Sequence, residues 1–306
     1  MTSAMENIRK KPSKRTVNEW CWGWFLVAPT IAGLVILNII PMIQTVILSF
    51  YKSGDFGRNN KFVGAANYSR MFHDTQVWGA VRNTLLYTAI VVPVTIILSL
   101  VLAVMLNGKI RGRSVFRTIY FVPMVAAPAA VTMVWKWLYN NQFGLINHVL
   151  SSMHLPTHDW INDPGIALVS ICIIGIWSTI GYDMVLFLAG LQEIPKDYYE
   201  ACEIDGAGPA RRFFSITLPL ISPTTFFVAV TSVIQGMQVF DFVYMMVEVT
   251  SPSYNSVVSL VYLFYNNSFK YSDKGYGSAI VVLLLAIIMV ITAVQLRVEK
   301  KWVNYN

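Results

Sequence analysis

Glu200, Glu203 and Asp205, followed closely by Arg211 and Arg212, form a dense knot of charge in a sequence that is otherwise only 13% charged. Carboxylates in such a knot can act as general acid and base when a histidine, a metal or a second facing acid completes the site. None of these partners is evident. The four histidines (His73, His148, His154 and His158) are scattered, with no HExxH spacing. Cys21, Cys172 and Cys202 form no CxxC pair, which leaves neither a zinc site nor a disulfide framework. No phosphate-cradling GxxxxGK(S/T) loop is present: NGKIRG, from Asn107, lacks the upstream glycine and the downstream hydroxyl. The remaining chemistry-bearing groups are Asp183 in IWSTIGYDMVLFLAG, Gln235 and Gln238 in SVIQGMQVFDF, and Asp241 just beyond. They are hydrogen-bonding groups in oily surroundings.

Those surroundings decide the class. Hydrophobic residues make up 55% of the chain and the mean hydropathy is +0.54, whereas about a quarter of an ordinary soluble domain is charged. Six apolar runs are expected to cross a membrane, at about 22–49, 84–106, 119–139, 166–189, 218–239 and 278–293. Helices are required because each span must satisfy its own amides, and the runs lack the alternation of a β-barrel. The inner segments of an N-in topology carry fifteen Lys and Arg and the outer loops seven, with Lys136 near the outer end of span three. Both termini are therefore expected in the cytoplasm, and topology accounts for the net charge of +7 better than nucleic acid does. RKKPSKR before a long first run marks a retained anchor and not a cleaved leader. The expected organisation is a tail at 1–21, a transmembrane domain at 22–295 with an inner loop at 191–217, and a tail at 296–306.

The charged knot falls in that inner loop. Pro195 can start a short helix, Asp205-Gly206 reads as a turn, and Pro209 can start a second helix toward Pro219. The polar residues of the spans each have two readings. Asp183 either packs against a neighbouring helix or contacts cargo. Gln235 and Gln238, spaced i,i+3 on one face, either line an interhelical seam or bind a sugar, whose hydroxyls need donors and acceptors. Asp241 and Lys136 either pair or each reach interfacial water. Trp20, Trp22, Trp24 and Trp302 read as interface anchors, Gly23 and Gly33 as packing positions, and KIRGRSVFR as a topology signal that meets anionic headgroups.

EACEIDGAGPARRFFSITLP resembles the cytoplasmic loop of the permease subunits of bacterial ABC importers. That family's pattern is Glu-Ala-Ala, three residues, Gly, nine residues, Ile, one residue, Leu-Pro. Glu200, Ala201, Gly206, Ile216, Leu218 and Pro219 match it; Cys202 replaces the second alanine. FVGAANYSRMFHDTQVWGAVRNTLLYT, RTIYFVPMVAAPAAVTMVWKWLYNNQFGLIN, MQVFDFVYMM and GYGSAIVVLLLAIIMVI resemble segments of carbohydrate-importer permeases of the maltose, raffinose and glycerol-phosphate class. VTSPSYNS departs from the Thr-x-Gly-Gly-Pro run common after their fifth span.

The resemblance implies an all-α polytopic fold of six transmembrane helices, the type I ABC importer permease fold, in a bacterial inner membrane. It implies a second, homologous permease, two copies of a cytoplasmic ATPase, an extracytoplasmic sugar-binding protein and a carbohydrate cargo. The chain would bind no cofactor, and the partner ATPase would use ATP and Mg. ATPase coupling would fall to Glu200, Ala201, Cys202, Glu203, Asp205, Gly206, Ala207, Ile216, Leu218 and Pro219, and the substrate pathway to Gln235, Gln238, Asp241 and Asp183. An importer for an amino acid, peptide or ion shares the loop pattern but not the flanking carbohydrate-type segments. A membrane-embedded transferase would show converging acids and histidines, and a stand-alone carrier repeated halves or several intramembrane charges.

Overall fold

The computed structural model describes residues 14–54, 60–108 and 111–303. The basic residues before 14, Arg58 and Lys109, which contribute to the topology expectation, lie outside these. The chain begins with α1 (Lys14–Leu34), which passes through a π-helical turn (Val35–Ile39) into α2 (Ile40–Leu48). Pro41 explains the turn. It has no N–H to offer its own helix, and the ladder yields just before it, with the Ile40 amide bonding back five residues to Val35. The same device recurs before Pro219.

A two-residue antiparallel ladder, β1 (Tyr51–Lys52) with β2 (Lys61–Phe62), precedes α3 (Ala66–His73) and α4 (Thr75–Asn107). Asp74 caps α4 by accepting the Gln76 amide at 2.9 Å. There follow α5 (Arg113–Val125), α6 (Pro128–Leu138), α7 (Leu145–Ser152) and α8 (Ala167–Glu193). The connecting segment carries α9 (Lys196–Ile204), α10 (Pro209–Arg212), a π turn (Phe213–Thr217) and α11 (Leu218–Leu220). The chain closes with α12 (Ser222–Met237), α13 (Asp241–Met246), α14 (Tyr254–Val257), α15 (Leu260–Tyr265) and α16 (Lys274–Trp302).

Five described helical stretches are long and apolar enough to cross a membrane, and the pair α5 and α6 makes a sixth. The third span is thus not the continuous helix expected over 119–139. Its halves meet at 99°. Pro128 disfavours helical backbone in the residue before it, and Ala127 is extended at φ −59°, ψ 134°. The sixth span is longer than its apolar run, because α16 continues past 295 to Trp302, where basic residues of the last turn suit the helix dipole.

The bundle is built on α4 against α8. Gly175 receives the Tyr87 ring so closely that a Cβ would overlap its hydroxyl. Ser99 Oγ donates to the Ile180 carbonyl at 2.9 Å, and Gly181 lets the Tyr120 backbone of α5 sit directly on α8. Two apolar cores lie at opposite ends of α4. One joins Val77, Tyr87 and Ile174 to α15 and α16; the other gathers Leu100, Met184, Phe187, Leu191 and Ile194. The first span stands apart: the most apolar stretch of 18–48 has no residue buried within this chain. A Cβ at Gly23 or Gly33 would meet nothing within 4 Å, so neither packs against another described part of this chain. Trp20, Trp22 and Trp24 are exposed, as anchors would be, while the Trp302 ring meets Phe226 edge-on at 6.4 Å.

Candidate functional site: a rigid loop and a polar cavity

The segment from Pro195 to Pro219 folds as two short helices about a left-handed glycine. Pro195 precedes α9 as its N-cap, one residue earlier than a helix-starting position. Asp205 ends the helix, Gly206 takes φ +69°, and two backbone bonds close the turn: Gly206 N–H to Glu203 O at 3.1 Å and Ala207 N–H to Cys202 O at 2.9 Å. This is the Schellman arrangement, which satisfies carbonyls the helix end would otherwise leave open. The Tyr199 hydroxyl and Thr217 Oγ1, 3.1 Å apart, tie the first short helix to the second, and Arg212 approaches Glu203 at 3.7 Å.

The loop has two distinct sides. Tyr199, Phe213 and Leu220 pack against the core that contains Ile194, and Ile216 is buried. Away from that core, Ile204 is 87% exposed and Phe214 64% exposed, and Glu200, Glu203 and Asp205 are exposed as well. Ala201 and Leu218 are also exposed, while Cys202, Ala207 and Pro219 are half-buried. A loop serving only as a tether has no need to be anchored on one side and apolar on the other. The structure gives this one a fixed ridge.

The four in-span polar residues meet in one cavity of about 270 Å³ between α4, α8, α12 and α13. Asp183 is 3% exposed and accepts a hydrogen bond from Ser232 Oγ at 3.2 Å. Gln235, Gln238 and Asp241 line the same space, with Phe240 as a ring face stacked on Tyr244 at 5.1 Å. Gln238 ends α12 and Asp241 begins α13, so the break between these helices opens the backbone at the cavity wall. Lys136 does not share this space. It lines a second cavity, of about 650 Å³, with Asp159, Glu248 and the Thr250–Pro252 part of the VTSPSYNS loop.

Sequence reasoning missed the α4 wall. Thr84, Thr88, Thr95 and Ser99 are buried and spaced so that they run along one face of α4. Thr84 Oγ1 accepts the Leu260 amide at 3.1 Å, and Ser99 bonds to α8. Thr95 lines the cavity, 1% exposed, and its hydroxyl has no hydrogen-bond partner among the described residues. That stripe of small hydroxyls was legible, but inside an apolar run it reads as span composition.

The family described as binding-protein-dependent transport system inner membrane component matches residues 95–304. The chain is 34% identical to the sulfoquinovosyl glycerol transport system permease protein SmoG of Agrobacterium fabrum, over 89% of this chain and 88% of that one. It is 33% identical to the lactose transport system permease protein LacF of Rhizobium radiobacter, over 89% and 92%. A chain of the bacterial alginate ABC transporter, solved in complex with an alginate pentasaccharide-bound periplasmic protein, superposes with a TM-score of 0.83 at 20% identity. That superposition covers 94% of this chain and 96% of that one.

Proposed function

Since the chain belongs to the family of inner-membrane components of binding-protein-dependent transport systems, we propose that it forms half of the translocation pathway of an ATP-driven carbohydrate importer. The chain is a transport component and not an enzyme. Its partners are a second, homologous permease, two copies of a cytoplasmic ATPase that consumes ATP with Mg, and an extracytoplasmic sugar-binding protein. The carbohydrate cargo follows from the sugar systems named among the relatives, which favour it over an amino acid or peptide.

The observation that carries the coupling role is the two-sided loop. Its inner side is fastened to the α8 core, so a force applied to the ridge of Glu200, Ile204 and Phe214 moves spans instead of bending the loop. ATP-driven closure of the two ATPases would then swing the walls of the Asp183–Gln238 cavity between outward and inward access. Interhelix contacts fixed by glycine, such as α5 on Gly181, suit such motion because they pack as discrete, rigid units.

Co-expression with a second permease and an ATPase tests the assignment. The three are expected to purify together and to drive ATP-dependent uptake in vesicles when binding protein and sugar are supplied. A chain that purifies alone and supports no uptake in the presence of all partners would overturn it.

Orientation has its own test. The ridge faces the cytoplasm, as do both termini, and the chain lies in a bacterial inner membrane. A cysteine at Gly208, where an added side chain meets no neighbour within 4 Å, is expected to resist an impermeant thiol reagent on intact cells and to react after permeabilisation. Cys21, Cys172 and Cys202 are removed first. Labelling of intact cells would reverse the topology.

A further inference from the structure

We propose that this chain's wall of the cavity selects uncharged glycosides over anionic ones. The inference rests on reading the cavity as part of the sugar path and adds the charge class of the cargo, which family membership leaves open.

The polar groups on the wall are two carboxyls (Asp183 and Asp241), two amides (Gln235 and Gln238) and hydroxyls that include Thr179 and Ser232; among the described residues no Lys, Arg or His lines it. In either protonation state a carboxyl brings no positive charge. A phosphate, sulfonate or uronate entering here finds no positive charge on this wall to neutralise it, and an unpaired anion is costly to desolvate. A neutral sugar fits the same groups well. Carboxylates accept from hydroxyls, amides both donate and accept, and the Phe240 face packs against C–H groups of a ring.

A cation does lie near the aromatic backing, that of Lys270. Its ammonium lies 5.3 Å from the Tyr244 ring centroid and 5.9 Å from that of Tyr262, and it does not line the cavity.

The experiment uses the assembled importer, purified without its binding protein, so that the upstream filter is absent. Saturation-transfer NMR is recorded for glucose, maltose, trehalose, lactose and raffinose, and for glucose 6-phosphate, trehalose 6-phosphate and glucuronate. At least one neutral sugar is expected to bind, to weaken on Gln238→Leu, and to exceed its anionic counterpart by ~10-fold or more in affinity. Asp241→Asn, at an exposed position, is expected to narrow that gap by weakening repulsion of the anion.

Anionic sugars that bind as tightly as neutral ones, with binding lost in Gln238→Leu, would overturn the selectivity while leaving the cavity as the sugar path. An unchanged neutral-to-anionic ratio in Asp241→Asn would also overturn it. Absence of binding by any neutral sugar, or binding indifferent to Gln238→Leu, would remove the cavity reading itself and the selectivity with it.

Discussion

Gly206→Val is expected to leave the chain in the membrane at its normal level and to lower ATPase retention and sugar uptake roughly tenfold. At φ +69° only glycine is at ease, and left-handed backbone costs other residues roughly 1–2 kcal/mol. A tenfold change in an equilibrium corresponds to about 1.4 kcal/mol. A Cβ at this position meets no atom within 4 Å, so what that atom adds is backbone strain and not collision. The strain falls on the turn that fixes α9 against α10, which is why docking suffers while the distant bundle does not. Gly206→Asn should retain most activity, because asparagine visits this region more readily. Glu200→Lys should reproduce the loss by reversing charge on the exposed ridge, with a severity that changes with salt. Retention and uptake at wild-type level in both Gly206→Val and Glu200→Lys would mean that the segment does not couple.

The largest structural effect is expected from Gly181→Ala and, more severely, Gly181→Val. The added Cβ would overlap the Tyr120 carbonyl oxygen and crowd the Phe121 amide. Backbone cannot rotate away as a side-chain tip can, so α5 must separate from α8. Overpacking of this kind costs about 1–3 kcal/mol or more. The midpoint of thermal unfolding of the purified importer should fall clearly for Gly181→Ala and further for Gly181→Val, with a lower yield from membranes. Gly208→Ala provides the comparison, since it adds the same methyl where nothing lies within 4 Å. Equal midpoints for Gly181→Ala and Gly208→Ala would refute the tight α5–α8 contact.

Much of the architecture was legible because hydrocarbon imposes a simple length rule, and the runs of spans two, four and five meet it plainly. The break in span three was not read, although Pro123 and Pro128 stand in plain view. Hydropathy averages over a run and is blind to direction, whereas the bend depends on two extended residues, Ala126 and Ala127. The charged loop was the reverse case. Its turn at Asp205-Gly206 and its helix starts are local, so sequence spacing carries them well. The cavity lay between these extremes. The i,i+3 spacing of Gln235 and Gln238 was visible, but their meeting with Asp183 and Thr95 depends on how α4, α8 and α12 pack. No local rule specifies that pairing.

The bent third span also constrains how the chain is made. Its halves contain 13 and 11 residues, so each reaches only about 17–20 Å at 1.5 Å per residue, against about 30 Å of hydrocarbon. Neither half is a self-sufficient insertion signal. The partner that stabilises the first half, the α8 surface around Gly181, is synthesised some sixty residues after Tyr120. Until that stretch is made, the contact that seats α5 on α8 cannot form, so defects at Gly181 should surface as a lower yield of chain from membranes.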